Sequence, residues 1–340
     1  MNDFYEKYIK YKKKYLKLKK IIGGRGGTPR IREFITWNVA HECMFGPKHN
    51  CRACRNVGPG NNTICQNNLI GVFNKLEHRP HFVAIQEGNQ NLSSRIISKL
   101  NSKYSGHVWN SLIYNSTGVV TAILIYDSTR LKSLNTFAGN CDGKSGRPFV
   151  GALFEERSIT NSDGSKPKLT VVSIHGPHGH GSERYTHRSS PKAILQQIVN
   201  SFATALGRSS NDTNNRNLFF ENPCFIMGDF NQEFNSLYLH SPFNNLIHVN
   251  NNINTCCSMP KSNWPDTRNL KYDNIVFRQH RGGGPGKTVV LKEFGTFKNV
   301  SKSSGSSYTS YNLPENSQGR FRYSRWTSDH LPLAARFEIS

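Results

Sequence analysis

Eight side chains capable of metal, phosphate or proton chemistry sit at the borders of short apolar runs. Asn38 closes Thr36-Trp37-Asn38, and Glu87 follows Gln86. His175 follows Ile174, while Asp229 and Asn231 stand in Gly228-Asp229-Phe230-Asn231. Asp273 follows Tyr272, and Asp329 and His330 stand in Ser328-Asp329-His330. Taken singly, each has an ordinary reading: Glu87 as a solvated strand end, Asn38 as a turn former, the 228–231 run as an Asx turn, Asp273 as a strand-entry cap. As a set they supply what metal-assisted phosphoester hydrolysis needs. Carboxylate oxygens hold a hard cation such as Mg²⁺ or Mn²⁺. The cation polarises the phosphate, and an Asp/His system orients water and moves protons.

Such residues act together only if the runs that carry them are neighbours in space. The runs at 33–39, 82–86, 119–126, 149–155, 169–174, 224–227, 274–277 and 333–339 are short, apolar and rich in β-branched or aromatic residues, and they predict strands. Helices are predicted at 66–77, 92–100 and 191–206. In the last of these, Leu195, Ile198, Val199, Phe202 and Leu206 form one apolar stripe that reads as core. Polar loops are expected at 208–217, 281–287 and 301–319, and no internal repeat is visible. The order of elements predicts one α/β domain without the strict βαβα beat of a doubly wound sheet. Its strand ends would gather the polar residues along one edge.

The ordered set WN, QE, strand-end His, GDFN, YD and SDH resembles the endonuclease/exonuclease/phosphatase superfamily, from about residue 30 to the end of the chain. The resemblance implies a DNase I-like fold, a four-layer α/β sandwich of two packed, mostly antiparallel sheets flanked by helices. It implies that Glu87, Asn38 and Asp329 lie at the metal, with Asp329 serving either the metal or His330. It implies that Asp229 orients or deprotonates the attacking water and that Asn231 fixes the phosphate and Asp229. His330 becomes the central acid/base or phosphate-binding imidazole, with Asp273 as its carboxylate partner. The family's DNase, sphingomyelinase and inositol phosphatase branches carry a His where His175 stands; apurinic-site endonucleases typically do not. The DNase branch pairs that His with a Glu on an earlier strand, but the matching Thr117-Gly118-Val119-Val120 has no carboxylate. Arg147 resembles a family Arg that reaches toward phosphate.

Charge bears on the substrate. The 340 residues carry 44 Lys+Arg against 22 Asp+Glu, a net +22. Residues 1–24 hold eight Lys against Asp3 and Glu6, so the chain beyond them is still about +16. A chain this basic is expected to meet nucleic acid, an acidic membrane surface or phosphorylated ligands. Arg322 and Arg325 alternate with Phe321, Tyr323 and Trp326 just before Asp329. They are candidates for phosphate neutralisation beside base stacking, the alternative being a strand with one aromatic and one charged face.

Residues 1–29 read as a basic Tyr/Lys-rich segment and Gly-rich linker, and 30–340 as the catalytic domain. Tyr5, Tyr8, Tyr11, Tyr15, Leu18 and Ile22 recur at helical spacing, and no apolar signal-peptide core follows the charges. The segment reads as a solvated tail or as an address; it resembles N-terminal segments of large DNA virus virion proteins. The expectation is an intracellular protein, with virion packaging the sharper version. No run of about 18 apolar residues predicts a transmembrane helix. An insert at about 41–65 holds Cys43, Cys51, Cys54 and Cys65, with His41 and His49 nearby. CxxC spacing at Cys51 and Cys54 suits structural Zn²⁺, a disulfide or free thiols.

The expected activity is a Mg²⁺- or Mn²⁺-dependent phosphodiesterase, with nucleic acid favoured over the alternative of a phosphorylated small molecule or lipid. A different class is a DNA-binding virion protein without catalysis. Sphingomyelinase and tyrosyl-DNA phosphodiesterase are narrower variants of the enzymatic reading.

Overall fold

The computed structural model describes residues 30–39, 62–74, 76, 78–116, 121–141, 147–161, 163–177, 191–210, 212, 214–231, 246–249, 272–278, 289–296, 330 and 332–339. Twelve strands among them form two sheets of six. The first contains β1 (Arg30–Asn38), β2 (Phe82–Gln86), β3 (Trp109–Asn115), β4 (Thr121–Asp127), β11 (Val289–Thr296) and β12 (Leu333–Ile339), in the order β11-β12-β1-β2-β4-β3. The second contains β5 (Leu131–Asn140), β6 (Pro148–Glu156), β7 (Lys168–His175), β8 (Cys224–Asp229), β9 (Leu246–His248) and β10 (Asp273–Arg278), in the order β5-β6-β7-β8-β10-β9.

Each sheet is antiparallel apart from one parallel pair near its middle, β1 with β2 and β7 with β8. A parallel pair needs a crossover, and helices supply both. Helix α1 (Asn62–Asn74) lies between β1 and β2 in sequence, and α3 (Pro191–Ala205) between β7 and β8. Helix α2 (Gln90–Lys103) follows β2. Because parallel strands end on the same side, Asn38 pairs in register with Gln86, and His175 with Asp229.

Strand periodicity sorts the side chains into three apolar layers. Ile35, Trp37, Val83, Ile85, Ile123 and Ile125 face α1 and α2. Val172, Ile174, Cys224, Ile226 and Val276 face α3 and the short helix Asn215–Phe219. Between the sheets lie Phe34, Phe82, Phe154, Val171, Phe225, Met227, Phe277 and Phe337. Phe34 stacks on Phe225 at 4.3 Å and meets Phe337 edge-on at 5.3 Å. Each fully buried Phe of this kind contributes about 1.5–3 kcal/mol. The result is the four-layer sandwich the sequence anticipates, and no helix among the described residues is long and apolar enough to cross a membrane.

Several local expectations are corrected. Strands β3, β5, β9 and β11 are the four edge strands and are not among those the sequence predicts: β3 and β5 mix polar with apolar residues, β9 is only three residues long, and the apolar start of β11 gives way to Lys292-Glu293; β5 also carries an irregularity between Ser133 and Asn135. The first helix ends at Asn74, not 77; Leu76 still reaches the core, at 2% exposure, from beyond the helix end. The polar loop expected at 208–217 contains the start of the short helix at Asn215.

Gly228 fixes how closely the two parallel strands of the second sheet can end together. Its φ of +155 suits glycine alone, and a Cβ would lie 1.9 Å from the carbonyl oxygen of Ile174. At Gly176, a Cβ would lie 2.4 Å from the Phe230 carbonyl oxygen. Backbone blocks the way at both positions, so no side chain can yield. Gly228→Ala is expected to cost about 3 kcal/mol or more in stability, combining backbone strain and overpacking. A urea midpoint unchanged from wild type would refute this.

Candidate active site

The inward faces of the central strands turn from apolar to polar toward one edge. Along β1 the sequence is Phe34, Thr36, Asn38; along β2 it is Phe82, Ala84, Gln86; along β7 it is Val171, Ser173, His175; along β8 it is Phe225, Met227, Asp229. Strand β10 runs the other way, so it begins at the same edge with Asp273, paired in register with Asp229. Two residues that precede or follow strands complete the group. Glu87 leaves β2, and His330 enters β12.

Local backbone devices hold these residues. Glu87 has φ 61 and Asn231 has φ 52, the only non-glycine residues with positive φ among the described residues. Asparagine adopts this region readily, whereas glutamate seldom does, so the strain lies at Glu87. The Glu87 amide donates to the Thr121 carbonyl at 3.1 Å, and Asn89 caps α2 by accepting from the Leu92 amide at 2.8 Å. The Asn231 amide donates to Asp229 Oδ1 at 2.7 Å, and its Nδ2 donates to the Gly176 carbonyl at 2.8 Å. The Trp37 indole donates to the His330 carbonyl at 3.0 Å, which anchors the segment carrying that imidazole.

Side chains from the two sheets meet at this edge. Asn38 Nδ2 donates to Glu87 Oε1 at 3.1 Å and to Asp229 Oδ2 at 2.9 Å. His330 Nδ1 lies 2.7 Å from Asp273 Oδ2, and its Nε2 lies 3.8 Å from Asp229 Oδ2. An ionised carboxylate can only accept, so Nδ1 carries the proton and Nε2 is turned toward Asp229. Burial pushes the Asp229 carboxyl up to about 6, and the charge of Asp273 adds to the rise. His330 and the hydrogen bonds from Asn38 and Asn231 oppose it.

His175 and Arg147 join the same group. His175 Nε2 lies 3.3 Å from Glu87 Oε1 and 3.8 Å from Asp229 Oδ2, and the Arg147 guanidinium lies against its ring. Among the described residues, Glu87, which leaves β2 of the opposite sheet, brings a carboxylate to His175. That contact was hidden in the sequence because it crosses between sheets.

The donor atoms of Asp229, Asp273 and His330 lie within 4.8 Å of one another, close enough to hold an ion. Glu87 lies beside this group, its Oε1 accepting from Asn38 Nδ2 at 3.1 Å. The Glu87 side chain is 20% exposed, whereas those of Asp229 and Asp273 are 1% and 0%. A carboxylate open to water suits a cation that keeps part of its hydration. Asp329, Arg322, Arg325, Cys43, Cys51, Cys54, the side chain of Cys65, and residues 1–29 lie outside the described residues.

No family model matches the sequence, and no curated protein matches it. Solved structures do match. An endonuclease/exonuclease/phosphatase from Bacteroides vulgatus superposes with TM-score 0.55 at 14% identity, covering 92% of this chain and 100% of that one. TDP2 from D. rerio, complexed with single-strand DNA product, gives 0.53 at 14% identity over 90% and 98%. TDP2 from C. elegans gives 0.52 at 12% identity over 91% and 75%. The chain has the DNase I-like fold of these proteins.

Proposed function

We propose that this protein is a Mg²⁺- or Mn²⁺-dependent phosphodiesterase that hydrolyses nucleic acid. The observation that carries the reading is the buried Asp273–His330 pair facing Asp229 across 3.8 Å, at the edge where Glu87, His175 and Arg147 also converge. Structural packing alone gives no reason to gather three acids and two imidazoles there.

The chain's own residues divide the work. Asp229, once ionised, accepts a proton from the attacking water, while Asn38 and Asn231 hold its two oxygens in place. As the imidazolium, His330 presents Nε2–H to the reacting phosphate or leaving oxygen, and Asp273 accepts from Nδ1 and stabilises that charge. Arg147 and His175 neutralise phosphate charge. Glu87 and Asn38 would hold the cation, with Asp329 as a further candidate. Their oxygen donors fit a hard ion. When bound, that ion polarises the phosphate and offsets its developing charge.

The charge beyond residue 24, about +16, supports nucleic acid as substrate, as does the DNA product bound to D. rerio TDP2 of the same fold. Inositol phosphates and phospholipids are the competing substrates. The test is turnover on plasmid, single-stranded oligonucleotide, RNA and inositol phosphates, each with Mg²⁺, Mn²⁺ or EDTA. Hydrolysis of oligonucleotides that weakens steeply with salt supports the reading. Hydrolysis of inositol phosphates alone, or activity untouched by EDTA, overturns it.

The raised Asp229 carboxyl adds a pH expectation. A base must be ionised to accept a proton, so activity is present above a pKa of about 6 and is lost below it. In the acid limb, kcat/KM should fall about tenfold per pH unit. A flat profile from pH 4.5 to 7.5 would remove Asp229 from the role of base.

A further inference from the structure

The active site is assembled from both sheets. Asn38, Glu87 and His330 come from the first, and Arg147, His175, Asp229 and Asp273 from the second. The two halves must keep a fixed relation, because misplacement of about 1 Å costs about 10²-fold in rate. Most of the contact between the sheets is apolar, an attraction with no directional preference of its own, and the buried Arg32–Glu156 pair joins β1 to β6 far from the site.

One layer below the site the contact becomes polar. Gln86 on β2 is fully buried. Its Nε2 donates to Ser173 Oγ on β7 at 3.2 Å, and its Oε1 accepts from Thr36 Oγ1 on β1 at 3.4 Å. Thr36 and Ser173 are also fully buried. Each member stands next to the site along its strand. Thr36 is two residues before Asn38 and on the same face. Gln86 immediately precedes Glu87 and is in register with Asn38. Ser173 is two residues before His175 and on the same face. A leucine or methionine at 86 would fill this space without desolvating an amide, so bulk alone does not account for glutamine. Directional hydrogen bonds define a register that dispersion contacts leave loose.

We propose that Gln86 is a positioning residue whose amide clasps the two sheets and sets Glu87 and Asn38 against His175 and Asp229. The inference rests on the hydrolytic reading of the site. Gln86 touches no reacting atom in it; its effect passes through its neighbours.

The test compares wild type with Gln86→Met and with the combined Thr36→Val/Gln86→Met/Ser173→Ala. The combined change replaces all three polar partners with apolar groups of similar shape, a change that can be nearly neutral for stability. The expected result for the combined variant is a melting temperature within a few degrees of wild type and KM within about threefold, with kcat lowered about 10–100-fold. Side-chain NMR of His175 provides a readout independent of turnover. Its ring nitrogen shifts should move in both variants, while those of His107, at the other end of the sandwich, stay fixed. Unchanged His175 shifts, or a folded combined variant with kcat within twofold of wild type, would overturn the proposal. If wild type hydrolyses no phosphodiester, the functional reading fails, and the His175 shifts still decide whether Gln86 sets the register.

Discussion

Asp273→Asn and His330→Ala are each expected to lower turnover by about 10²–10⁴-fold, the usual scale for an acid–base group. The double variant should be little worse than the poorer single variant. This follows from the 2.7 Å contact between His330 Nδ1 and Asp273 Oδ2 within buried surroundings. Asp273 does its work by fixing one tautomer and stabilising the imidazolium. Once the imidazole is gone, the carboxylate has nothing left to orient, so its loss adds little. Asp273→Asn leaves the shape but replaces an acceptor-only group with one that can also donate, and this permits the wrong tautomer. KM should change less than kcat in both single variants, because the pair serves the reaction more than the binding of substrate. Losses that multiply in the double variant would show that the two residues act independently.

The distribution of these residues explains why so much of the site was readable in the sequence. A buried strand must be apolar along its length, so a carboxylate, amide or imidazole at its end breaks the pattern visibly. Phe82–Gln86 and Leu333–Ile339 have the bounds expected from that pattern, and Asn38, Glu87, His175, Asp229 and Asp273 all stand at or beside strand termini. Edge and part-exposed strands gave no such contrast. Trp109–Asn115 and Leu131–Asn140 mix Asn, Ser and Lys with apolar residues because much of each strand meets solvent. Contacts across the sandwich were less legible still. Neither the Glu87–His175 approach nor the Gln86–Ser173 bond joins residues close in sequence, and neither sheet alone contains both partners. A signal for the latter did exist: Thr36 and Ser173 are polar residues on otherwise apolar inward faces, two positions before a site residue. Reading the strands for period two would have exposed that layer.

The location of the cation separates two arrangements that the geometry permits, and Glu87→Gln decides between them. If Glu87 and Asn38 hold the ion, this variant should need about 100-fold more Mg²⁺ for half-maximal activity, since even residues one step removed from a metal change affinity by about 10–100-fold. His330→Ala should then lower kcat and leave the Mg²⁺ dependence in place. If Asp229, Asp273 and His330 hold the ion instead, the pattern reverses: His330→Ala weakens the metal and Glu87→Gln does not. One feature favours the first arrangement. Asp229 and Asp273 are sealed from water, whereas Glu87 holds its carboxylate partly open to solvent on a backbone strained to φ 61. A strained turn that presents a wet carboxylate suits an ion that keeps its water, and Mg²⁺ dehydrates reluctantly. Titration of Mn²⁺ into the two variants, followed by the loss of its free-ion paramagnetic resonance signal, measures the affinities without reference to turnover. Weakened binding in Glu87→Gln with wild-type binding in His330→Ala assigns the ion to Glu87.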